Sequence, residues 1–510
     1  MQNVNDVPAV DSRETAPYPT SIADPEETRE RKATTAIFLG MGIIAASILL
    51  GRFFAFIFPF LAFSIVMTLI WRKASVPWIF LASIAAATPV TLFRYQFTCN
   101  SIFALWFALL NPRYLFQLPK WIYVLLGLAL MGLGTGAINW MSGGMIGGIM
   151  RQGTFAINLV LVPLILLPMI YVRMSESRDP AANLRGLLFC LIVPSTLILL
   201  SAKLFGTVTN TWEASLHTGS IAEGFLQYRL GKVTVNFLRT EVGFILAALI
   251  CASTAVTISQ VRNPYRLIAG ACLAANAFLL LVTGSFGSIF ASLCGLFAIF
   301  CIQVRTVSLT KVLASGAVIC CMLGLTFVLL PPSVKDYLGK RYELRVTNAD
   351  TDRFALWGRA VEQIFQHPEG VGWTLAVGKG KKTVIHNDYL AFAVSYGVLG
   401  GLAYTCFIIG LLVSFFVVEK NAIEHPAALA VYLAGLGVIV AVALNSITDH
   451  MTENRWYFNL ILSIVWYSYF CSRVRPTMTI DEERMRDRRF ENGTDLAKVN
   501  TGINGKVSIQ

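Results

Sequence analysis

The chain has 510 residues, 55% of them hydrophobic and 14% charged, with a formal net charge of +12. Repeated continuous apolar runs of about 17–22 residues match the hydrocarbon core of a bilayer, so the expected fold is an all-α, polytopic helical membrane protein with about 12–14 transmembrane helices. A β-barrel is disfavoured because its strands alternate polar and apolar positions over about ten residues. The positive charge does not call for nucleic acid, since the cations flank apolar runs in the manner of membrane-orienting loops.

In chain order, residues 1–33 are polar, carry Pro8, Pro17, Pro19 and Pro25, and lack the pattern of a cleavable signal peptide. They read as a disordered cytoplasmic tail. A transmembrane bundle is expected over 34–331, with spans near 34–50, 53–70, 77–93, 98–111, 120–139, 154–172, 186–205, 241–260, 266–283, 286–303 and 312–331. The C-terminal spans near 388–418, 428–446 and 456–472 fill 388–472, and 473–510 forms a second cytoplasmic tail. With the amino terminus inside, the inner loops hold most of the flanking cations, including Arg72, Lys73, Arg113, Arg173, Arg185, Arg262 and Lys311. The long polar segments 206–240 and 332–387 then fall on the non-cytoplasmic face. Nine of the ten cysteines lie in or beside apolar runs without metal-type spacing, so they read as small core residues. No metal or cofactor is expected.

Within 332–387, "DTDRFALWGRAVEQIFQ" (350–366) sets Phe354, Trp357, Val361, Ile364 and Phe365 at helical spacing, an amphipathic helix at the outer surface. Asp350 or Thr351 can cap its start, and Pro368, Gly370 and Gly372 end it. Arg353 lies at the border of the apolar stripe and Arg359 on the solvated side. Arg353 therefore either snorkels to the interface or holds phosphate oxygens, for which a planar, permanently charged fork is well shaped.

The stretch "TVIHNDYLAFAVSYGVLGG" (383–401) opens an apolar segment of about 31 residues, roughly 46 Å as a straight helix, which exceeds a ~30 Å core. Its first turns must project outside, tilt, or bend at Gly400-Gly401. His386 and Asn387 are placed at its mouth, at or just above the outer membrane surface, where the macrodipole favours anions and a neutral imidazole. His386 there either caps the helix or takes a proton from a hydroxyl as general base. The basic loop Lys379, Lys381 and Lys382 and the external group Asp449, His450, Glu453 and Arg455 are further candidates. Trp212, His217, Glu223, Tyr228, Arg229 and Arg239 stand in the first long segment without any spacing that singles one out.

"DRFALWGRAVEQIFQHPEGVGW" followed by "HNDYLAFAVSYGVLGG" resembles the O-antigen ligase and O-antigen polymerase superfamily, including its exopolysaccharide-polymerase branch. The matching pattern is Arg353 and Trp357 as Arg-x-x-x-Trp, Pro368, Gly370 and Gly372 as Pro-x-Gly-x-Gly, then His386-Asn387 with Gly397 and Gly400 downstream. It covers about 120 residues. The resemblance implies a glycosyltransferase that takes a glycan from an undecaprenyl-diphosphate carrier at the periplasmic face of the bacterial inner membrane. It passes the glycan to an acceptor glycan or to lipid A core. His386 would activate the acceptor hydroxyl, Arg353 would steady the diphosphate, and Asn387, Trp357, Arg239, Arg341, Asp449 and Arg455 would support the site. Membrane lipid and proteins of polysaccharide export and chain-length control are the implied partners, with no nucleic acid and no metal.

One position departs from the family pattern. The external turn reads "TGSFGS" (283–288), with Phe286 where an arginine is common, so a second cation must come from elsewhere, with Arg239, Arg229 and Arg341 as candidates. The departure tilts the reading toward a divergent polymerase. The competing reading is an exporter of polysaccharide or lipid-linked oligosaccharide, which would tolerate loss of His386.

Overall fold

The computed structural model describes residues 89–92, 95–142, 157–175, 180–193, 195–197, 199–200, 224–230, 233–306, 350–371, 385–417, 425–448 and 455–473, with scattered positions between 310 and 339. The fold is all-α and that of a polytopic membrane protein. Two short strands, β1 (Pro89–Leu92) and β2 (Tyr95–Thr98), precede α1 (Cys99–Leu110) and α2 (Lys120–Ser142). A π-helical stretch, Ile157–Leu166, runs into α3 (Leu167–Ser175), and α4 (Pro180–Gly186) follows. A second hairpin, β3 (Gly224–Leu230) and β4 (Val233–Leu238), feeds α5 (Arg239–Ile258), α6 (Asn263–Thr283) and α7 (Phe286–Thr306). The remaining helices are α8 (Asp350–Gln366), α9 (Asp388–Phe416), α10 (Pro426–Thr448) and α11 (Arg455–Cys471).

Four helices among the described residues are long and apolar enough to cross a membrane: α6, α7 over Phe286–Val304, α9 and α10. The expected spans near 34–50 and 53–70, nearly all of 312–331 and both tails lie outside the described residues. Two expectations need correction. The span near 77–93 does not end as helix, because Pro89–Leu92 pairs antiparallel with Tyr95–Thr98. Pro89 lacks the amide a helix needs, and Val90, Thr91, Tyr95 and Phe97 suit a pleated surface. The segment 206–240, read as a polar loop, contains the β3–β4 hairpin, in which Tyr228 faces Val235 and Arg229 faces Thr234.

Helix α10 occupies the centre, packed by α5, α7, α9 and α11. Small residues make this possible: an added Cβ at Gly295 of α7 would stand 2.6 Å from the Gly437 carbonyl of α10. Elsewhere the core is aromatic. Buried Trp466 of α11 stacks on Trp121 and donates its indole N–H to the Pro163 carbonyl at 2.8 Å, so its single polar group is satisfied.

Helix α9 is not a straight rod. Tyr396 (φ −116°, ψ 15°) and Gly397 (φ 75°, ψ −178°) leave helical geometry, and the chain folds back on itself there. In a straight helix the Cα atoms of residues 392 and 404 would be about 18 Å apart. Instead the Phe392 and Tyr404 rings stack at 4.3 Å, and Tyr389 meets Tyr404 at 5.4 Å. The bend expected at Gly400-Gly401 therefore falls at Tyr396-Gly397. A short arm, 388–395, lies against a long arm, 398–416, and only the long arm, about 28 Å long, matches a bilayer core. A helical hairpin thus shortens the reach of this apolar segment.

Candidate functional site

The fold-back is locked by the turn that follows α8. Val398 N–H donates to the Pro368 carbonyl at 2.9 Å, and Val371 N–H donates to the Val394 carbonyl at 2.9 Å. The turn therefore supplies partners for backbone groups that the broken helix leaves open. Two glycines make the approach possible. Gly370 (φ 89°) and Gly397 (φ 75°) both adopt the left-handed side of backbone space, and a Cβ on Gly397 would stand 2.4 Å from the Pro368 carbonyl oxygen. The Pro-x-Gly and the downstream glycine of the sequence pattern are thus one structural device.

Helix α8 forms over the expected residues, but its apolar stripe divides. Trp357 and Ile364 pack inward with buried Ala360 against Ile385, Ala391 and Val394. Phe354, Val361 and Phe365 remain exposed at 64%, 41% and 81%. The helix thus has one face on the protein and a second apolar face directed away from it, as befits a helix lying along a membrane surface. Arg359 is exposed, as expected.

Arg353, one turn before Trp357, is half-buried and donates from Nη1 to the Thr448 carbonyl at 2.9 Å. Thr448 ends α10, where carbonyls lack intrahelical partners and a cation meets the negative end of the macrodipole. The guanidinium therefore turns to a helix end rather than only snorkelling outward. With five N–H donors, it can hold this carbonyl and still reach phosphate oxygens.

Trp357 donates its indole N–H to the Ile385 carbonyl at 3.1 Å, which ties α8 to the residue before His386. Replacing Trp357 with Phe removes that bond together with part of the ring's packing against Ile385, Ala391 and Val394. We expect a loss of about 1–3 kcal/mol in stability, read by thermal unfolding in detergent.

His386 is half-buried and is the non-glycine residue with positive φ (52°) among those described. It does not cap the helix. That role belongs to Asn387, whose side chain accepts from Leu390 N–H at 3.1 Å with extended backbone (φ −161°). His386 is thus placed just outside the helix in a sparsely populated backbone conformation, a kind of residue that clusters at functional sites.

Below it the short arm carries a polar cluster that sequence reasoning passed over. Asp388, fully buried, opens α9 and interacts with the hydroxyl-bearing Tyr389 and Tyr404. Tyr389 O–H donates to the Ala443 carbonyl at 3.2 Å, and the Tyr404 hydroxyl lies 2.9 Å from Ser446 Oγ. Because of the fold-back, the helix mouth sits level with the last turns of α10. A single acid opening a run otherwise free of acids was the available signal.

The "TGSFGS" turn belongs to the same end of the bundle. Gly284 is left-handed (φ 59°) and ends α6, and the Ser285 and Ser288 hydroxyls lie 3.0 Å apart at the start of α7. A Cβ on Gly287 would come within 2.8 Å of Thr448 Oγ1, so the turn adjoins the residue that Arg353 holds. Gly243 of α5 packs on Ser285 and Ser288, which brings the start of α5, where Arg239 stands, to the same place. Phe286 begins α7.

Arg353, Trp357, His386 and Asn387 are therefore brought together, with the first residue of α5 nearby. Arg239, Arg229 and Arg455 are placed by backbone only, at the start of α5, within β3 and at the start of α11. Arg341, Asp449, His450, Glu453, Trp212, His217, Glu223, Lys379, Lys381 and Lys382 lie outside the described residues. His367 is exposed beside Glu369, and His425 Nδ1 accepts the Ala427 N–H at the start of α10. Among the described residues no group of His, Cys, Asp and Glu could hold a metal ion. Beside the hairpin, a crevice of about 440 Å³ is lined by Phe392, Tyr396, Tyr404, Phe407 and Phe458 together with small and aliphatic residues of α2 and the π-helical stretch. No protein-family model matches this chain, and no curated protein matches it.

Proposed function

We propose that this chain is a membrane glycosyltransferase that polymerises or ligates glycan units from a polyprenyl-diphosphate carrier at the outer face of a bacterial inner membrane, with both termini cytoplasmic. The observation that carries the reading is the junction of α8 with the α9 mouth. Arg353 and Trp357 lie one turn apart, and Trp357 holds the residue before His386. A cation shaped for phosphate and an imidazole outside a helix start are thereby tied into one end of the bundle.

In the reaction, the His386 imidazole takes the proton from an acceptor hydroxyl as its oxygen attacks the anomeric carbon of the donor. The bond from that carbon to the diphosphate breaks, and the departing oxygen keeps the electron pair. Arg353 balances the charge on the diphosphate. The exposed stripe of Phe354, Val361 and Phe365 suits a helix that keeps this cation at headgroup depth, where a lipid-linked diphosphate presents itself. The polymer-forming branch is favoured over transfer to lipid A core, because Phe286 replaces the arginine common in the family pattern.

The test is the purified full chain in proteoliposomes, supplied with a polyprenyl-diphosphate-linked oligosaccharide and no nucleotide sugar. Glycan transfer with equimolar release of polyprenyl diphosphate is expected. Vectorial movement of the intact lipid-linked glycan without that release would overturn the reading in favour of an exporter.

A further inference from the structure

We propose that Asp388 is a positioning residue: through Tyr404 it latches the short arm of α9 to the long arm and to α10, and so sets the place of His386. The inference rests on the reading of His386 as the base. Asp388 stands two residues after His386 and is fully buried, within a helical hairpin whose turn at Gly397 has no side chain of its own. The turn after α8 locks the bend through backbone bonds, and side chains join the two arms further along.

Tyr404 is the side chain that spans the gap. Its ring packs between Phe392 at 4.3 Å and Tyr389 at 5.4 Å, both on the short arm, and its hydroxyl reaches Asp388 on that arm and Ser446 on α10. A phenol has one proton to give. With Asp388 ionised it offers only acceptor oxygens; in that state Tyr404 donates to Asp388 and is left to accept from Ser446. The chain Ser446 to Tyr404 to Asp388 runs in one direction, each bond strengthening the next in a buried setting. Asn387 orders the same end by capping the arm, and Tyr389 pins it to the Ala443 carbonyl. The acid also sits at the first position of its helix, where N–H groups and the macrodipole favour a carboxylate.

This explains why an acid is tolerated in an apolar run without assigning it any proton transfer. It acts on geometry, and a base displaced by about 1 Å can lose up to about 100-fold in rate.

The experiment compares Asp388→Asn, Asp388→Ala and Tyr404→Phe in proteoliposomes. Asparagine keeps an acceptor for Tyr404. We expect Asp388→Asn to retain at least about a third of the turnover, whereas Asp388→Ala and Tyr404→Phe lose at least about tenfold in kcat with KM changed less than about twofold. Asparagine as damaging as alanine would overturn the latch in favour of a charge acting directly. Tyr404→Phe keeps the ring and its packing, so it carries the test where Asp388→Ala fails to fold.

A second measurement is independent of any enzymatic activity. His386→Cys is labelled with a membrane-impermeant maleimide, and the rate is compared with that of the chain retaining His386. The labelling rate is expected to change at least about threefold when Tyr404→Phe is added and to stay the same with Asp388→Asn. An unchanged rate with Tyr404→Phe overturns the latch. Transfer activity that survives His386→Ala would instead overturn the proposed function, and the labelling result would still decide the latch.

Discussion

Replacing His386 with alanine is expected to lower glycan transfer by about 10²–10⁴-fold, the usual contribution of a positioned general base. In cells the variant should show little surface polymer. Accumulation of single carrier-linked repeat units identifies a polymerase, and accumulation of full-length carrier-linked polymer identifies a ligase. Normal polymer of normal length would remove His386 from the chemistry. The backbone supplies the control. At φ 52° a side chain is tolerated poorly except for Asn, Asp and His, while glycine is at ease. His386→Gly and His386→Asn should therefore fold at least as well as His386→Ala and be equally inactive, separating lost chemistry from lost structure. Because Asn387 performs the capping, none of these variants unties the helix start.

Gly397→Ala should be among the most destabilising single changes in the α9 hairpin. At φ 75° and ψ −178° the residue occupies a region open essentially to glycine alone, and forcing another residue there costs about 1–3 kcal/mol before any contact is counted. The new methyl would also stand 2.4 Å from the Pro368 carbonyl oxygen. Relief requires the turn after α8 to withdraw, which breaks the bond from Val398 N–H to Pro368 and loosens Val371 from Val394. We expect a drop of several degrees or more in the unfolding temperature in detergent, together with loss of transfer activity, since the same turn holds α8 and Arg353 in place. Gly400→Ala tests the bend expected from sequence. A Cβ there would stand 2.4 Å from Tyr396 Cβ, an atom fixed by the backbone, so this change also strains the hairpin but without the added cost of a positive φ. An unfolding temperature for Gly397→Ala equal to that of the unsubstituted protein would refute the hairpin.

How much of this was legible in the order of residues varies with the range of the interaction. Helix α8 was readable to its ends because its cues are local: a helical period of apolar residues, an acidic start, and Pro368 with glycines behind it. The same period could not separate Trp357 and Ile364, which face protein, from Phe354, Val361 and Phe365, which do not. A hydrophobic stripe looks alike whether its partner is a side chain or lipid. Likewise, the surplus length of the α9 segment was visible, but not the way it is accommodated. Glycines at 397, 400 and 401 are equal in the sequence, and the choice of Gly397 depends on a carbonyl at Pro368, nearly thirty residues earlier, arriving to satisfy the broken helix.

Composition and periodicity by themselves determined an all-α membrane protein and an amphipathic helix over 350–366, while the family resemblance singled out His386 and Arg353 as the residues to test. The fold class and the helix follow from burial in lipid and from local backbone preference, which act through near neighbours in the chain. Tertiary structure alone decided that Asn387, and not His386, caps the helix, that Arg353 holds the end of α10, and that Asp388 and Tyr404 meet across the hairpin. Those pairings join residues from 3 to 95 positions apart, and which of the many possible partners meet is settled only when the helices pack.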